Sequence, residues 1–255
     1  MNLNKIKHED SSKDWQIWNK RSGVERSIKR LKKQLPEMEC SKQLTQIIKR
    51  FYKPGYKVLD FGCASGHYFN SLKKIDKNID YTGFDATKVY IKFAKNFFKK
   101  EKNSKFQVQN LFSMSKKYRN KFDISYCSNV FHHIPSIDIP LKNLISSAKK
   151  YCIIRTLVSE NTHLSKLYYN DNTNKKGVLD NFVFQNTYSY SLIRKKIKKL
   201  GNFKVTFEND LFKGSKINKE FKKDKKKYPG LTRFIQGHQI SGSKVFEFKW
   251  IVIKK

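Results

Sequence analysis

The stretch from Lys57 to Leu72, KVLDFGCASGHYFNSL, constrains the fold more than any other part of the sequence. Strand-forming residues end at Asp60, Gly62 and Gly66 follow, and helix-compatible residues begin at His67. Glycines in such a turn permit positive φ and let a ligand lie against bare backbone, and the helix N-terminus beyond offers unpaired N–H groups. The stretch therefore predicts a strand, a tight turn and a helix that together hold a small-molecule cofactor.

Segments typical of strands and helices alternate after this turn. Strands are predicted at 79–84, 106–108, 122–127 and 151–158, and helices at 86–100 and 139–149. Two helices are predicted before the first strand, the second with Pro36 in its first turn; a helix at 190–200 and strands at 203–207 and 244–253 end the chain. The alternation predicts an α/β fold with a doubly wound, Rossmann-like parallel sheet whose ligand lies at the carboxyl ends of the strands.

The chain length of 255 residues suits one domain with additions. Residues 1–54 are predicted to form an N-terminal helical cover, and residues 55–158 the cofactor-binding core. Residues 159–255 would hold a substrate-side excursion and the last two strands, because the polar stretch 159–186 is too long for a simple connection.

The formal net charge of +34 is extreme and ordinarily indicates nucleic acid, an anionic membrane or an anionic substrate as partner. The excess is lysine, spread along the chain among many Asn and Ile residues. This pattern also fits the codon bias of an AT-rich genome, and phosphate-binding sites usually favour Arg for its bidentate geometry. The charge alone leaves both interpretations open.

The four cysteines, Cys40, Cys63, Cys127 and Cys152, form no CxxC pair and have no histidine at zinc-finger spacing. They are predicted to be reduced, and Cys63 and Cys127 to be packing residues rather than nucleophiles. The sequence shows no apolar run typical of a signal peptide or a membrane span. A cytoplasmic protein is expected.

A carboxylate directly before the glycine turn narrows the choice of cofactor. Nicotinamide-binding domains also combine a glycine turn with a later acidic residue. At the position of Asp60, however, a carboxylate would repel a pyrophosphate and attract an ammonium group. The sequence therefore favours a cofactor with an amino-acid moiety.

Four segments, VLDFGCASG, YTGFDA, NLF and FDISYCSNVFHHIP, occur in this order between residues 56 and 158. In these segments the sequence resembles the class I S-adenosylmethionine (SAM)-dependent methyltransferases, in particular the small-substrate group of the methyltransferase type 11/12 kind. It departs from them at Ala64, where many members have glycine. The resemblance implies a seven-stranded sheet, mostly parallel with an antiparallel last strand, and SAM as cofactor.

The resemblance also implies roles for individual residues. Asp60 would bind the ammonium group of SAM directly or through water, and Asp85 would accept hydrogen bonds from both ribose hydroxyls. The implied cofactor-binding residues are Asp60, Gly62, Cys63, Gly66, Asp85, Ala86, Asn110, Leu111, Ser128 and Asn129. Structural alternatives remain open at this point: the glycines turn the chain, Asp85 caps the next helix, and Asn110 is an ordinary loop residue.

His132 and His133 are the candidate catalytic residues. An imidazole near the acceptor can take a proton as the methyl group moves. HHIP-like segments occur across this group of enzymes with many substrates, so a shared structural or cofactor-side role is the alternative. Methyl transfer from a sulfonium requires mainly that the nucleophile be positioned in line, and no metal is expected.

The first helix offers a possible cover for the cofactor. In one interpretation the cover excludes water from the site through the side chains of Trp15, Trp18 and Arg21. In the alternative interpretation these three residues form the packing face of an ordinary helix. The sequence does not separate the two.

Three classes of function are consistent with the sequence. The first is methyl transfer to a small-molecule or sugar-type acceptor, with Tyr168, Tyr169, Asp171 and residues 182–190 as its wall. The second is an RNA or other nucleic-acid methyltransferase, favoured by the charge and by aromatic residues among lysines at 212–228, although the Asn/Asp-Pro-Pro-Tyr/Phe segment of base-amine methylators is absent. The third is a non-catalytic scaffold, which the intact Asp60 and Asp85 disfavour.

Overall fold

A computed structural model describes residues 21–168, 175, 177, 182–211, 233–235, 238–241 and 244–255.

The N-terminal part of the described chain is helical. Helices α1 (Arg21–Leu31) and α2 (Glu39–Lys49) precede the first strand. The prediction that Pro36 lies in the first turn of the second helix is wrong, because Met38 is extended (φ −66°, ψ 141°) and α2 begins at Glu39.

Strands and helices then alternate as predicted, with ends that differ from the predicted ends by one to several residues. The core elements are β1 (Lys57–Phe61), α3 (His67–Leu72), β2 (Asp80–Asp85), α4 (Lys88–Phe97), β3 (Ser104–Val108), β4 (Phe122–Ser128), α5 (Asp138–Ser147) and β5 (Ala148–Ser159). The later elements are β6 (Lys166–Tyr168), β7 (Phe182–Phe184), β8 (Tyr188–Ser189), α6 (Tyr190–Lys198), β9 (Lys204–Asn209), β10 (Arg233–Ile235), β11 (His238–Ser241), β12 (Lys244–Phe246) and β13 (Phe248–Lys254).

The main sheet has the strand order β3-β2-β1-β4-β5-β13-β9, and the short β8 pairs with β5 beside this path. Strands β1 to β5 pair in parallel, whereas β13 runs antiparallel to both β5 and β9. This confirms the predicted doubly wound α/β fold with an antiparallel last strand. The chain order reverses between β1 and β4, and such a switch point opens a crevice at the carboxyl ends of the strands.

The last predicted strand, 244–253, proves to be two strands. Strand β12 pairs with β11 in a separate sheet of order β10-β11-β12, while β13 pairs with β5 in the main sheet. The chain changes sheets at Glu247, whose carbonyl accepts a hydrogen bond from Val158 N–H. The continuous apolar alternation did not reveal this change because both strands alternate in the same way.

Side chains on the two faces of the sheet form two hydrophobic clusters. One face packs against α2, α3 and α4 and contains Val58, and the other packs against α5 and α6 and contains Leu59. Because successive side chains of a strand point to opposite faces, Asp60 lies on the Val58 face. It is there surrounded by the aromatic cluster that includes Tyr81 and Tyr126. The fold thus places a carboxylate inside the apolar layer next to the glycine turn.

The turn before α3 depends on a glycine at position 66. Gly66 has φ +84°, and a Cβ there would lie 2.7 Å from a Phe106 ring atom and 2.9 Å from a Phe98 ring atom. Gly55 has nearly the same φ, +85°, with nothing within 4 Å of a Cβ.

Both Gly→Ala substitutions carry the left-handed penalty of about 1–2 kcal/mol. We expect Gly66→Ala to lower the free energy of unfolding by roughly 1–3 kcal/mol more than Gly55→Ala, because only Gly66→Ala overpacks the core. Equal losses in urea denaturation would contradict this packing role.

Candidate cofactor and active site

Asp60 is a buried carboxylate at the carboxyl end of β1, only 1% exposed. The Tyr81 hydroxyl donates to Asp60 Oδ2 at 2.6 Å, whereas Oδ1 has no hydrogen-bond partner in the described part of the chain. Burial raises the pKa of Asp60 to about 7, although interactions with Tyr81 and Tyr126 lower it. A desolvated carboxylate with an unpartnered oxygen suits a ligand that brings a positive charge.

The glycine turn is fastened to the end of β2. The N–H groups of Gly62 and Cys63 both donate to the Phe84 carbonyl, at 2.7 and 2.9 Å. A Cβ on Gly62 would lie 2.3 Å from Val130 Cγ2, so the missing side chain lets the segment after β4 approach the turn. The turn, β2 and the end of β4 therefore form one unit.

Ala64 adopts the left-handed conformation, with φ +47°, where the resembling enzymes often have glycine. Its N–H donates to Asp85 Oδ2 at 2.9 Å. This bond offsets part of the roughly 1 kcal/mol that a left-handed non-glycine residue costs. The departure from glycine leaves the turn intact.

Asp85 joins the turn to the next helix. Its Oδ1 accepts from Thr87 N–H at 2.8 Å, directly before α4, and its Oδ2 accepts from Ala64. Burial raises the pKa of Asp85, and these two backbone hydrogen bonds lower it. Asp85 does not cap α4, whose N-cap residue is Thr87. Each carboxylate oxygen has two acceptor sites, so these backbone bonds and the predicted ribose contact are compatible. Ala86 lies between Asp85 and Thr87, which a hydrogen bond joins.

The Cys63 side chain is fully buried and points into the core, so a ligand at the turn would meet its backbone only. Burial raises the pKa of the Cys63 thiol well above its ordinary value, and the same holds for Cys127. All four cysteines are free and buried. A thiolate nucleophile is thus disfavoured at these positions.

The loop after β3 is held by local hydrogen bonds. Asn110 Oδ1 accepts from Phe112 N–H at 2.9 Å, and the Leu111 carbonyl accepts from Asn143 Nδ2 at 2.7 Å. The Asn110 oxygen is therefore engaged in an ordinary turn, and its amide nitrogen is the group with capacity for an adenine contact. The buried Leu111 side chain belongs to the core.

The end of β4 carries Ser128 and Asn129, two of the implied cofactor-binding residues. Ser128 Oγ shares a 2.8 Å hydrogen bond with the Tyr68 hydroxyl. Asn129 is left-handed, with φ +64°, and its N–H donates to the Arg155 carbonyl at 3.1 Å. The guanidinium of Arg155 donates in turn to Asn129 Oδ1.

His132 and His133 lie in a 3₁₀ helix, Phe131–His133, directly after this end. His133 Nδ1 is 2.8 Å from the Phe184 carbonyl, and because a carbonyl only accepts, Nδ1 carries the proton. Burial lowers the pKa of His133 to about 4 and that of His132 well below its usual range. Both imidazoles are therefore neutral at neutral pH.

The predicted acceptor wall packs against this segment. Asn186 Nδ2 donates to the Ile134 carbonyl at 2.9 Å, and the Tyr188 hydroxyl donates to the Phe131 carbonyl at 3.0 Å. Tyr168 is exposed on β6, and Tyr169 and Asp171 lie outside the described residues. Residues 182–190 thus border the histidine segment.

Residues 52–235 match a family model described as a methyltransferase domain. The chain belongs to this family. The match confirms the SAM-dependent methyltransferase class and the SAM cofactor expected from the sequence.

Solved structures show the same fold. Phosphoethanolamine N-methyltransferase 2 from Haemonchus contortus superposes with a TM-score of 0.66 at 15% identity, over 95% of this chain and 60% of that one. A possible histamine N-methyltransferase from Thermotoga maritima gives a TM-score of 0.52 at 17% identity, over 94% and 99% of the two chains. At these identities the likeness establishes the fold alone.

A sequence relative is the tRNA U34 carboxymethyltransferase of Helicobacter pylori. It is 33% identical over 96 residues, which are 36% of this chain and 36% of the relative. The similarity thus spans little more than a third of that enzyme's length.

The N-terminal cover predicted for this methyltransferase is described in part. Ser27 Oγ of α1 lies 2.6 Å from Ser65 Oγ in the glycine turn, so α1 contacts the cofactor motif. Trp15 and Trp18 lie outside the described residues, as does the side chain of Arg21. The cover over SAM stays a prediction.

Sequence reasoning missed Arg155 and Asp210 at the methyltransferase site. They form an ion pair whose side chains are 3% and 5% exposed, and the guanidinium lies 3.8 Å from the Phe248 ring centroid. A single arginine within the apolar run CIIRTLV was the available signal. A charged residue in a central strand is almost always paired. The partner of Arg155, however, lies 55 positions later in the chain, where no local pattern points to it.

The described residues hold neither a cluster of potential metal ligands nor a membrane-spanning helix. They contain no cluster of three or more His, Cys, Asp or Glu side chains able to hold a metal ion. Helices long and apolar enough to cross a bilayer are also missing from this part of the chain.

The raised pKa of Asp60 predicts how pH affects stability. Between about pH 4 and pH 7 the folded, cofactor-free protein holds the Asp60 proton more tightly than the unfolded chain, so this group's contribution to stability falls as pH rises. The full effect is roughly 4 kcal/mol. We expect Asp60→Asn to become progressively more stable than wild type between about pH 5 and about pH 7.5 in urea denaturation without SAM. A stability difference that does not change with pH would contradict the buried, protonated carboxyl group.

Proposed function

We propose that this enzyme transfers the SAM methyl group to a small-molecule or sugar-type acceptor that lies against the edge between Ser128 and His133. The observation that carries this proposal is the balanced charge of that edge. Arg155 contacts Asn129, but Asp210 neutralises it. His132 and His133 are neutral at neutral pH because burial lowers their pKa. A polyanionic acceptor would instead favour an excess of positive charge there.

The residues at the strand ends suit SAM. Asp60, with its unpartnered oxygen, would bind the ammonium group, and Asp85 the ribose hydroxyls. Ala86, Asn110 and Leu111 would border the adenosine. When bound, SAM supplies an electrophilic methyl group, and the protein's part is to orient the nucleophile opposite the departing sulfur and to exclude water.

Ser128 and Asn129 would lie beside the reacting atoms. Both are held from outside their own strand, Ser128 by Tyr68 and Asn129 by Arg155. Residues whose own conformations are fixed by neighbours hold a substrate more precisely than mobile ones. The acceptor nucleophile would therefore meet a rigid edge.

A nucleic-acid acceptor is the second candidate. The net charge of +34 favours it, as does the partial identity with an enzyme named for tRNA U34. Its binding to RNA would be saturable and steeply salt-dependent, whereas scattered lysines give weak nonspecific association. A salt titration with mixed RNA separates the two kinds of binding.

Methyl-labelled SAM tests the acceptor class. We expect the protein, incubated with separate small-molecule, glycan and RNA fractions of a cell extract, to label the small-molecule or glycan fraction. Asp85→Ala, which removes both ribose-facing oxygens, should reduce this label at least tenfold and serves as the control for turnover. Label in RNA would establish the second candidate, and label in no fraction would favour the non-catalytic scaffold.

His133 offers a sharp test of general-base catalysis. Asn supplies an amide nitrogen near the position of Nδ1 and can still donate to the Phe184 carbonyl, whereas Ala cannot. With the fraction that accepts label, we expect His133→Asn to keep most of the turnover and His133→Ala to lose about tenfold, because the carbonyl then lacks its donor. A base role would instead make both variants equally inactive. That outcome would contradict the interpretation that His133 acts through its hydrogen bond to the Phe184 carbonyl.

A further inference from the structure

Arg155 stands out as a buried cation that the cofactor motifs do not use. It lies on β5 opposite Ser128 of β4 on one side and Trp250 of β13 on the other. Its guanidinium stacks on the Phe248 ring and pairs with Asp210. A buried ion pair contributes little net stability compared with apolar residues of the same volume. The presence of this pair at the reactive edge therefore calls for a role beyond stability.

The guanidinium has two ends, and they serve different partners. Nη2 donates to Asp210, and Nη1 donates to the side-chain oxygen of Asn129. The Arg155 backbone carbonyl accepts the Asn129 N–H at 3.1 Å. Arg155 thus holds Asn129 through both the side chain and the backbone.

Asn129 requires these contacts because its backbone conformation is unfavourable for a residue with a side chain. With φ +64° it occupies the left-handed region, which costs a non-glycine residue about 1–2 kcal/mol, somewhat less for Asn. This conformation turns the chain out of β4 directly before the histidine segment. Its Nδ2 also lies 3.9 Å from Cys40 Sγ of α2, so its side chain is bound on two sides.

We propose that Arg155 is a positioning residue, which holds Asn129 in its left-handed conformation and so shapes the part of the site that faces the sulfonium of SAM. The inference rests on the proposed placement of Ser128 and Asn129 beside the cofactor. Asp210 pairs with the guanidinium and the Phe248 ring lies against it, so both hold it in place. Arg155 acts through Asn129 and does not touch the cofactor itself.

The test compares variants of the full chain by SAM titration calorimetry, with thermal unfolding measured in parallel. Arg155→Lys keeps a positive charge for Asp210 but cannot serve two partners with a planar fork. We expect it to weaken SAM binding about tenfold. Asn129→Gly adopts the left-handed region without help, so Arg155→Lys should cause no further loss of SAM affinity when it is added to Asn129→Gly.

A merely structural role of Arg155 would weaken SAM binding by the same factor in both backgrounds. Wild-type affinity in Arg155→Lys, or an equal loss of affinity when Arg155→Lys is added to Asn129→Gly, would overturn the proposal. If Arg155→Lys fails to fold, a comparison of Asn129→Ala with Asn129→Gly still tests the proposal. Both variants lack the amide, but only glycine adopts a positive φ without cost, so Asn129→Gly should bind SAM more tightly than Asn129→Ala. Equal SAM affinity of these two would also overturn it. Absence of SAM binding by the wild type would instead refute the cofactor assignment on which the proposed function rests.

Discussion

Parallel pairing of β1 with β2 on one side and β4 on the other is the constraint on which the site depends. Asp60 lies opposite Gly83 of β2 and Tyr126 of β4. Because parallel strands end at the same edge, this register brings the glycine turn, Asp85 and Ser128 together. The same central position buries Asp60 and raises its pKa. The fold that gathers the cofactor contacts therefore also creates a carboxyl group with no ion-pair partner among the residues that the structure describes.

Buried hydroxyl and guanidinium groups connect the cofactor half of the edge to the acceptor half. Tyr81 donates to Asp60 on the cofactor side, and Tyr68 bonds to Ser128 at the end of β4. Arg155 then continues the polar layer to Asp210 after β9. The hydrogen bonds within this low-dielectric layer hold its members in place, because breaking any one of them leaves a buried polar group unpaired at a cost. We infer that this rigidity, more than an ionisable base, prepares the enzyme for an in-line transfer.

The sequence predicted those features that depend on local patterns. Strands β1 to β5, the glycine turn and Asp85 follow from alternation and from short motifs, and the structure places their ends together as expected. The pairing of Arg155 with Asp210 joins residues 55 positions apart, and no local pattern specifies such a contact. The division of 244–253 into two strands was likewise missed, because it depends on which strands lie beside it. The left-handed conformations of Ala64 and Asn129 depend on hydrogen bonds with other elements, which the local sequence does not reveal.

Proton release on cofactor binding shows whether Asp60 holds the ammonium end of SAM. Calorimetric titrations near pH 6, in buffers of different ionisation enthalpy, count the protons exchanged. With a pKa of about 7 before binding, Asp60 is mostly protonated there and must ionise to pair with the ammonium group. We expect release of close to one proton by the wild type and none by Asp60→Asn. Tight SAM binding by the wild type without proton release would contradict it.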